Sequence, residues 1–225
     1  SKFRNTVILK KIKSKIFYSP TLNFSFSSEK KNYISTKNNI DDILLNLEKL
    51  LKINIPLINY DINKIDKTIF DEATKLLPDN NYIGFSITQG NKYRKKTWPT
   101  EKFINVANSL NNQIPVFFIE KSNKNLIEEI SSKVKKAIFP ETNTSISCPA
   151  LITALSTRLK KAITIDNGIM HMMNLANIPL ITLFGPTNSD KFAPKKRNVI
   201  ILDSKKLYDS NDISKITETD VLREI

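Results

Sequence analysis

The stretch Thr88-Gln89-Gly90-Asn91-Lys92-Tyr93-Arg94-Lys95-Lys96-Thr97-Trp98-Pro99 gathers a hydroxyl, amides and four cations ahead of a proline. Pro99 stands where a helix can begin, so free backbone donors and positive charge converge before a helix N-terminus. That is the chemistry of anion binding. No Gly-Lys-Ser/Thr follows, and the glycines do not repeat as GxGxxG, so this is neither a Walker loop nor the dinucleotide fingerprint. A solvated basic loop is the other reading.

A second such place is Asp166-Asn167-Gly168-Ile169-Met170-His171, where an apolar run stops at a carboxylate and a helix starts within two residues. Either Asp166 or Asn167 can cap that helix, and the amides of Gly168 to His171 can face a diphosphate. Taken alone, Asp166 reads as a plain cap and His171, the single histidine, as a buried ring bonded to backbone. Met170, Met172 and Met173 read as packing. The third place is Phe184-Gly185-Pro186-Thr187-Asn188, again after an apolar run, where Gly-Pro also suits an ordinary turn. Three of the four glycines, Gly90, Gly168 and Gly185, fall in or beside these loops, allowing a tight turn or close approach to a ligand.

These loops need strands to hold them. From Tyr82 onward short β-rich runs alternate with helical stretches, the pattern of a parallel sheet covered by helices. Strands are expected at Tyr82–Thr88, Pro115–Ile119, Ala137–Phe139, Ala162–Asp166, Leu180–Phe184 and Val199–Leu202. Helices are expected at Pro99–Leu110, Asn123–Lys135, Ala150–Arg158 and Ile169–Ala176. Thr217 followed by Asp220 resembles a capping box for a short last helix. In open α/β sheets ligands bind beyond the carboxyl ends of the strands, which is where all three loops would lie. Upstream, Ile43, Leu44, Leu47, Leu50 and Leu51 recur at helical spacing behind Asp41 and Asp42, and a further helix is expected over Ile65–Leu77. Residues 1–60 read poorly as an independent domain.

Composition narrows the classes. In 225 residues, 40% apolar with twelve Phe, six Tyr and one Trp, there is material for one sizeable core, which excludes wholesale disorder. The apolar runs fall far short of the roughly 18 to 20 residues of a membrane span. Cys148 is the only cysteine, so no internal disulfide forms, and a cytoplasmic setting is expected. Thirty-five Lys and Arg against 22 Asp and Glu leave +13, which favours anionic partners, phosphates first. Biased Lys and Asn usage that merely solvates the surface is the alternative. The local clusters are Lys2, Arg4, Lys10, Lys11, Lys13 and Lys15; the loop before Trp98; and Lys191, Lys195, Lys196 and Arg197.

Lys96-x-Trp98-Pro99, then Asp166-x-Gly168-x-Met170-His171, then Phe184-Gly185-Pro186-Thr187 closely resembles the C-terminal half of glycosyltransferase family 9, the ADP-heptose:lipopolysaccharide heptosyltransferases. The resemblance covers about residues 82–203 and, more loosely, the whole chain. It implies a GT-B architecture: residues 81–225 as the Rossmann-like α/β lobe with a parallel sheet that holds the nucleotide-sugar, and residues 1–80 as the tail of a truncated N-terminal acceptor lobe and linker. It implies inverting, metal-independent sugar transfer onto a lipopolysaccharide core, with ADP-heptose as donor, no cofactor and no metal site. Lys96 matches the lysine that neutralises the donor phosphates, and Thr88 and Asn91 lie in the loop that hydrogen-bonds them. Asp166, Asn167, Gly168 and His171 match the loop that contacts sugar and diphosphate, Asn167 replacing the usual Thr or Ser. Thr187 belongs to the third motif and shapes the pocket floor. The basic loop is longer than in many relatives, and Glu120-Lys121-Ser122-Asn123 stands where many place Gly and an acid for the ribose.

The family's general base would precede Ser1, so the chain is expected to be a donor-binding fragment, inactive alone, cytoplasmic and at most peripheral at an anionic membrane face. The partners implied are a nucleotide-sugar donor and a lipid-linked oligosaccharide acceptor, with no nucleic acid. Competing readings keep the lobe but use another nucleotide-sugar, as in a hexosyltransferase or an epimerase, or make the chain a non-enzymatic basic module that binds anions by charge alone.

Overall fold

The computed structural model describes residues 2–56, 61–79, 81–90, 93 and 95–225, with Lys2 and Lys31 described by backbone alone. The chain divides into two units, Ser1–Ile58 and Asn59–Ile225.

In the first unit, helix α1 (Lys2–Lys10) has no apolar stripe, since Phe3, Ile8 and Leu9 all stay exposed, so periodicity gave no sign of it. Helix α2 (Asn39–Leu51) follows the leucine spacing. Its start is fixed by Asn38, whose side-chain oxygen accepts from the backbone N–H of Ile40 at 2.9 Å and of Asp41 at 3.4 Å. Buried Asn46 ties α2 to the loop before it, accepting from Ile34 N–H at 2.9 Å and donating to Ile34 O at 2.7 Å. Tyr18, Phe24 and Tyr33 pack their rings beside it, with centroids 5.1 to 5.9 Å apart.

The second unit contains α3 (Lys67–Leu76), β1 (Tyr82–Ser86), α4 (Thr100–Asn108), β2 (Ile114–Phe117), α5 (Lys124–Lys133), α6 (Pro149–Ser156), β3 (Leu159–Ile165), α7 (Gly168–Leu175), β4 (Leu180–Phe184), α8 (Ser189–Phe192), β5 (Val199–Asp203), α9 (Ser204–Tyr208) and α10 (Glu218–Leu222). The strands run parallel in the order β2-β1-β3-β4-β5. Every residue of β1 and of β4 is buried, as a parallel sheet covered on both faces requires. On one face Tyr82, Val116, Ala162 and Leu180 pack with Ala73 of α3, Leu151 and Leu155 of α6 and Met173 of α7. On the other, Ile83, Phe85, Ile163 and Leu183 pack with Phe103 of α4, Ile130 of α5 and Val221 of α10.

One expected strand is corrected. Ala137–Phe139 forms only an isolated bridge, Ile138 opposite Val116, because Pro140 follows at once, offers no N–H and opens a 3-10 turn. Strand β3 begins at Leu159, earlier than expected: the charges of Lys160 and Lys161 hid its first residues, and Lys161 donates to the backbone carbonyls of Glu224 and Ile225. The helix expected over Ile65–Leu77 is shortened by its cap, Asp66, which accepts from Thr68 N–H at 2.8 Å. The resemblance implies a division at 80/81, whereas by compactness α3 goes with the sheet, its Ala73 buried against α6. The capping box of α10 is present, Thr217 and Asp220 each satisfying the other's backbone N–H.

From β1 the chain moves out to β2, then returns past β1 to lay down β3. The strand order therefore reverses between β1 and β3, and their carboxyl ends open a crevice at that point. Among the described residues, no helix is long and apolar enough to cross a membrane, and no group of three or more His, Cys, Asp or Glu is placed to hold a metal ion.

Candidate functional site

Ser86 ends β1 beside Thr164 of β3, so the loops leaving these strands run side by side. Asn167 stitches them together. Its side-chain N–H groups donate to Ser86 Oγ at 2.7 Å and Thr88 O at 2.9 Å, while its Oδ1 accepts from Met170 N–H at 2.9 Å and so caps α7. Of the two residues able to cap this helix, Asn167 does so, which leaves the Asp166 carboxylate for another partner.

That partner is Lys96. Its ammonium forms an ion pair with Asp166 Oδ2 and lies 3.4 Å from the Asp166 carbonyl oxygen. The two side chains keep only 12% and 9% of their surface exposed, so water screens the attraction weakly. Two features fix the approach of Lys96: its backbone N–H donates to Gln89 Oε1 at 2.9 Å, and Lys95 before it adopts a left-handed φ of 47°. A non-glycine residue there costs about 1 kcal/mol or more, strain of the kind found where a loop presents a side chain.

Downstream, Trp98 is fully buried and its indole N–H donates to Ile216 O at 2.9 Å. The Lys102 ammonium binds the carbonyls of Ser214 and Ile216, both at 2.8 Å. The same segment reaches the third loop: a Cβ on Gly185 would lie 2.6 Å from Ile213 Cβ and 2.9 Å from its backbone N. Gly185 therefore admits the protein's own chain, not a ligand. Residues 213–216 thus anchor the first and third motifs together. By contrast, a Cβ on Gly168 would meet nothing within 4 Å, so the first turn of α7 lies open to an approaching group.

His171, on α7, senses the pair. Although the residue is exposed overall, protein bulk around the imidazole removes solvent and lowers its pKa; the Asp166 carboxylate pulls it up and the Lys96 ammonium pushes it down again. The neutral ring is favoured. Asn91 lies outside the described residues, as do Lys92 and Arg94. Thr187 lines a cleft of about 380 Å³ beyond β4 and β5, shared with Asp203, Lys205 and Lys206, whose walls include neither Lys96 nor Asp166.

A further cleft, of about 410 Å³, adjoins the crevice through Ile169 and Met172 of α7 and is walled by Leu151 and Ile152 of α6 and by Glu120 and Glu141. Its volume lies in the range of small-molecule sites, roughly 300 to 1,000 Å³. Sequence reasoning missed Glu141: it follows Pro140 in an ordinary-looking turn, and its neighbours in the cleft come from distant segments. The Asp166–Lys96 edge can hold an anion with a cation and helix amides, and this neighbouring cleft can hold an uncharged body with apolar faces.

Residues 43–221 match the model of glycosyltransferase family 9 (heptosyltransferase). Among solved structures, the glycosyl transferase family 9 protein from Veillonella parvula DSM 2008 is similar with a TM-score of 0.69 and 20% identity, over 84% of this chain and 59% of that one. The ADP-heptose lps heptosyltransferase II of E. coli is similar with a TM-score of 0.57 and 19% identity, over 72% of this chain and 51% of that one. The E. coli heptosyltransferase WaaC with ADP gives a TM-score of 0.62 and 16% identity, over 84% and 57%. No curated protein sequence matches. At these identities the structural likeness is one of fold, and it makes the parallel-sheet unit a GT-B type lobe. The chain spans between 51% and 59% of the length of these structures.

Proposed function

The chain belongs to glycosyltransferase family 9, and from that membership we propose that it binds a nucleotide-sugar donor, as the donor side of an enzyme that transfers heptose from ADP-heptose to a lipopolysaccharide core acceptor with inversion. The observation that carries this reading is the Lys96–Asp166 ion pair, set where the strand order reverses and directly before the N-terminus of α7. A heptosyltransferase of the same fold has been solved with ADP, which supports a nucleoside diphosphate at this edge.

In this reading the bond from the sugar to the diphosphate breaks as an acceptor hydroxyl attacks, and negative charge builds on the departing phosphate oxygens. Lys96 and the backbone N–H groups at the start of α7 meet that charge, supplying the stabilisation a metal ion would otherwise give. Asp166 holds the Lys96 ammonium in place and offers its carboxylate to a sugar hydroxyl. Asn167 spends its amide on Ser86, Thr88 and the cap, so its part is to keep the two loops in register. Thr88 and Asn91 are assigned to phosphate hydrogen bonds; Thr187, expected at the pocket floor, lines the separate cleft beyond β4 and β5 and is given no donor contact.

The acceptor, and the base that deprotonates it, belong in this reading to residues beyond these 225, in keeping with the share of the solved structures that the chain spans. A positioned base contributes about 10² to 10⁴-fold, and holding both substrates together contributes more. Lys10, Lys11, Lys13 and Lys15 would add a salt-dependent attraction to an anionic cytoplasmic membrane face. The test is an assay with ADP-heptose and a lipid-linked core acceptor, comparing this chain with the same chain joined to a complete N-terminal lobe. Transfer is expected only from the longer protein. Equal turnover from both would place the base within these 225 residues.

A further inference from the structure

We propose that Glu141 reads the nucleoside half of the donor, accepting a hydrogen bond from an O–H of the ribose or an N–H of the base in the cleft beside α7. The inference rests on the donor-site reading above and adds to it a residue that the motifs do not contain.

Among the described residues, the Glu141 carboxylate is left unsatisfied at one oxygen. Glu141 is half-buried, and its Oε1 is shut off from solvent without a hydrogen-bond partner among the described residues. Most buried polar atoms have one. Burial raises the Glu141 pKa, and the nearby negative charge of Glu120 raises it further. Two acids facing one cleft repel each other, which suits neither a stable ion pair nor an anionic guest. A neutral guest that brings its own O–H or N–H donors removes the difficulty.

The shape of the cleft agrees. Leu151, Ile152, Ile169 and Met172 give apolar walls against which a flat ring can lie, and Glu120 and Glu141 share the lining. Lys121 closes the rim by donating to Thr144 O at 3.2 Å. Ile169 is the second residue of α7, one position after Gly168, so a ligand whose phosphates meet the open first turn of that helix has its remaining half beside this wall. Charge sets the direction in which such a ligand lies: phosphates are drawn to Lys96 and repelled by Glu120 and Glu141, and the uncharged end is left for the acids. One site thus carries a cationic end and an acidic end, matching a molecule with a charged half and a neutral, donor-bearing half.

Calorimetric titrations of the wild-type chain, Glu141→Ala and Glu141→Gln with ADP, 2′-deoxy-ADP, 3′-deoxy-ADP and IDP test it. Glu141→Ala should bind ADP about tenfold more weakly, with the chain still folded by circular dichroism. The analogue that lacks the contacted donor should bind the wild type about tenfold more weakly too, and should bind Glu141→Ala no worse than it binds the wild type. Loss with either deoxy compound assigns a ribose hydroxyl, and loss with IDP assigns the amine of the base. If both variants bind ADP within twofold of the wild type, or lose equal affinity for ADP and for every analogue, Glu141 does not read the nucleoside. If the wild type itself does not bind ADP, the donor-site reading fails first and takes this inference with it.

Discussion

The ammonium of Lys96 rests on the carboxylate of Asp166, 70 residues further along the chain. No local interaction explains that meeting. It follows from the order of the sheet, which lays β3 against β1 after the excursion to β2, so that the loops leaving both strands share one edge. Because both side chains are nearly removed from water, the pair is worth little as a net stabiliser yet costly to break on one side. Lys96→Met or Asp166→Asn alone should each destabilise the chain by about 3 kcal/mol, since each leaves its partner buried without compensation. The double variant should cost less than the sum of the two. Urea unfolding of the four proteins measures the coupling, and additive costs would mean that the contact carries no energy.

His171 should titrate below its ordinary value of 6.5, because the desolvation around the ring opposes its charge. A group whose folded pKa is depressed and whose charged form is the protonated one leaves the unfolded chain binding more protons. Stability should therefore fall as pH drops from 6.5 through the folded value, and His171→Gln should flatten that slope. Adding ADP should move the pKa upward, as phosphate charge comes to favour imidazolium. A ring that titrates normally by NMR and ignores ADP would place His171 outside the site.

Gly185→Ala should lower stability by about 1 to 3 kcal/mol, the usual cost of forcing extra volume into close packing. The new methyl would press on Ile213, both at its Cβ and at its backbone nitrogen, which cannot simply rotate away. Gly168→Ala should leave stability almost unchanged, since its Cβ meets nothing, while interfering with whatever approaches the first turn of α7. Thermal melts of the two variants compare them directly. Equal losses would show that the two glycines serve the same purpose.

The fold was legible wherever burial leaves a local trace. Leu180–Phe184 is legible at its true boundaries because a strand covered on both faces is an unbroken apolar run between turn residues. Ala137–Phe139 has the same chemistry but lies at the margin beside β2, where a single bridge satisfies it. Lys160 and Lys161 disguised the start of β3, since charge inside a strand reads as loop unless one knows that the C-terminal carbonyls wait for it. At the site, the residue types at 96, 166 and 167 announced anion chemistry, but their division of labour did not show: nothing in Asp166-Asn167 says which caps and which pairs. The anchoring role of residues 213–216 and the cleft acid Glu141 were invisible for one reason, that each depends on neighbours brought from distant parts of the chain.

The central claim is that the Lys96–Asp166 edge takes the diphosphate of a nucleotide donor, and one calorimetric titration tests it most directly: ADP into the wild-type chain and into Lys96→Ala, both with chelator present. Binding by the wild type should persist in chelator, with Lys96 and helix amides holding the phosphates. Lys96→Ala should weaken it by about 1.5 to 3 kcal/mol, the worth of a charge-assisted contact, or roughly 10- to 150-fold. Wild-type binding that vanishes with chelator, or an affinity unchanged in Lys96→Ala, would contradict the account.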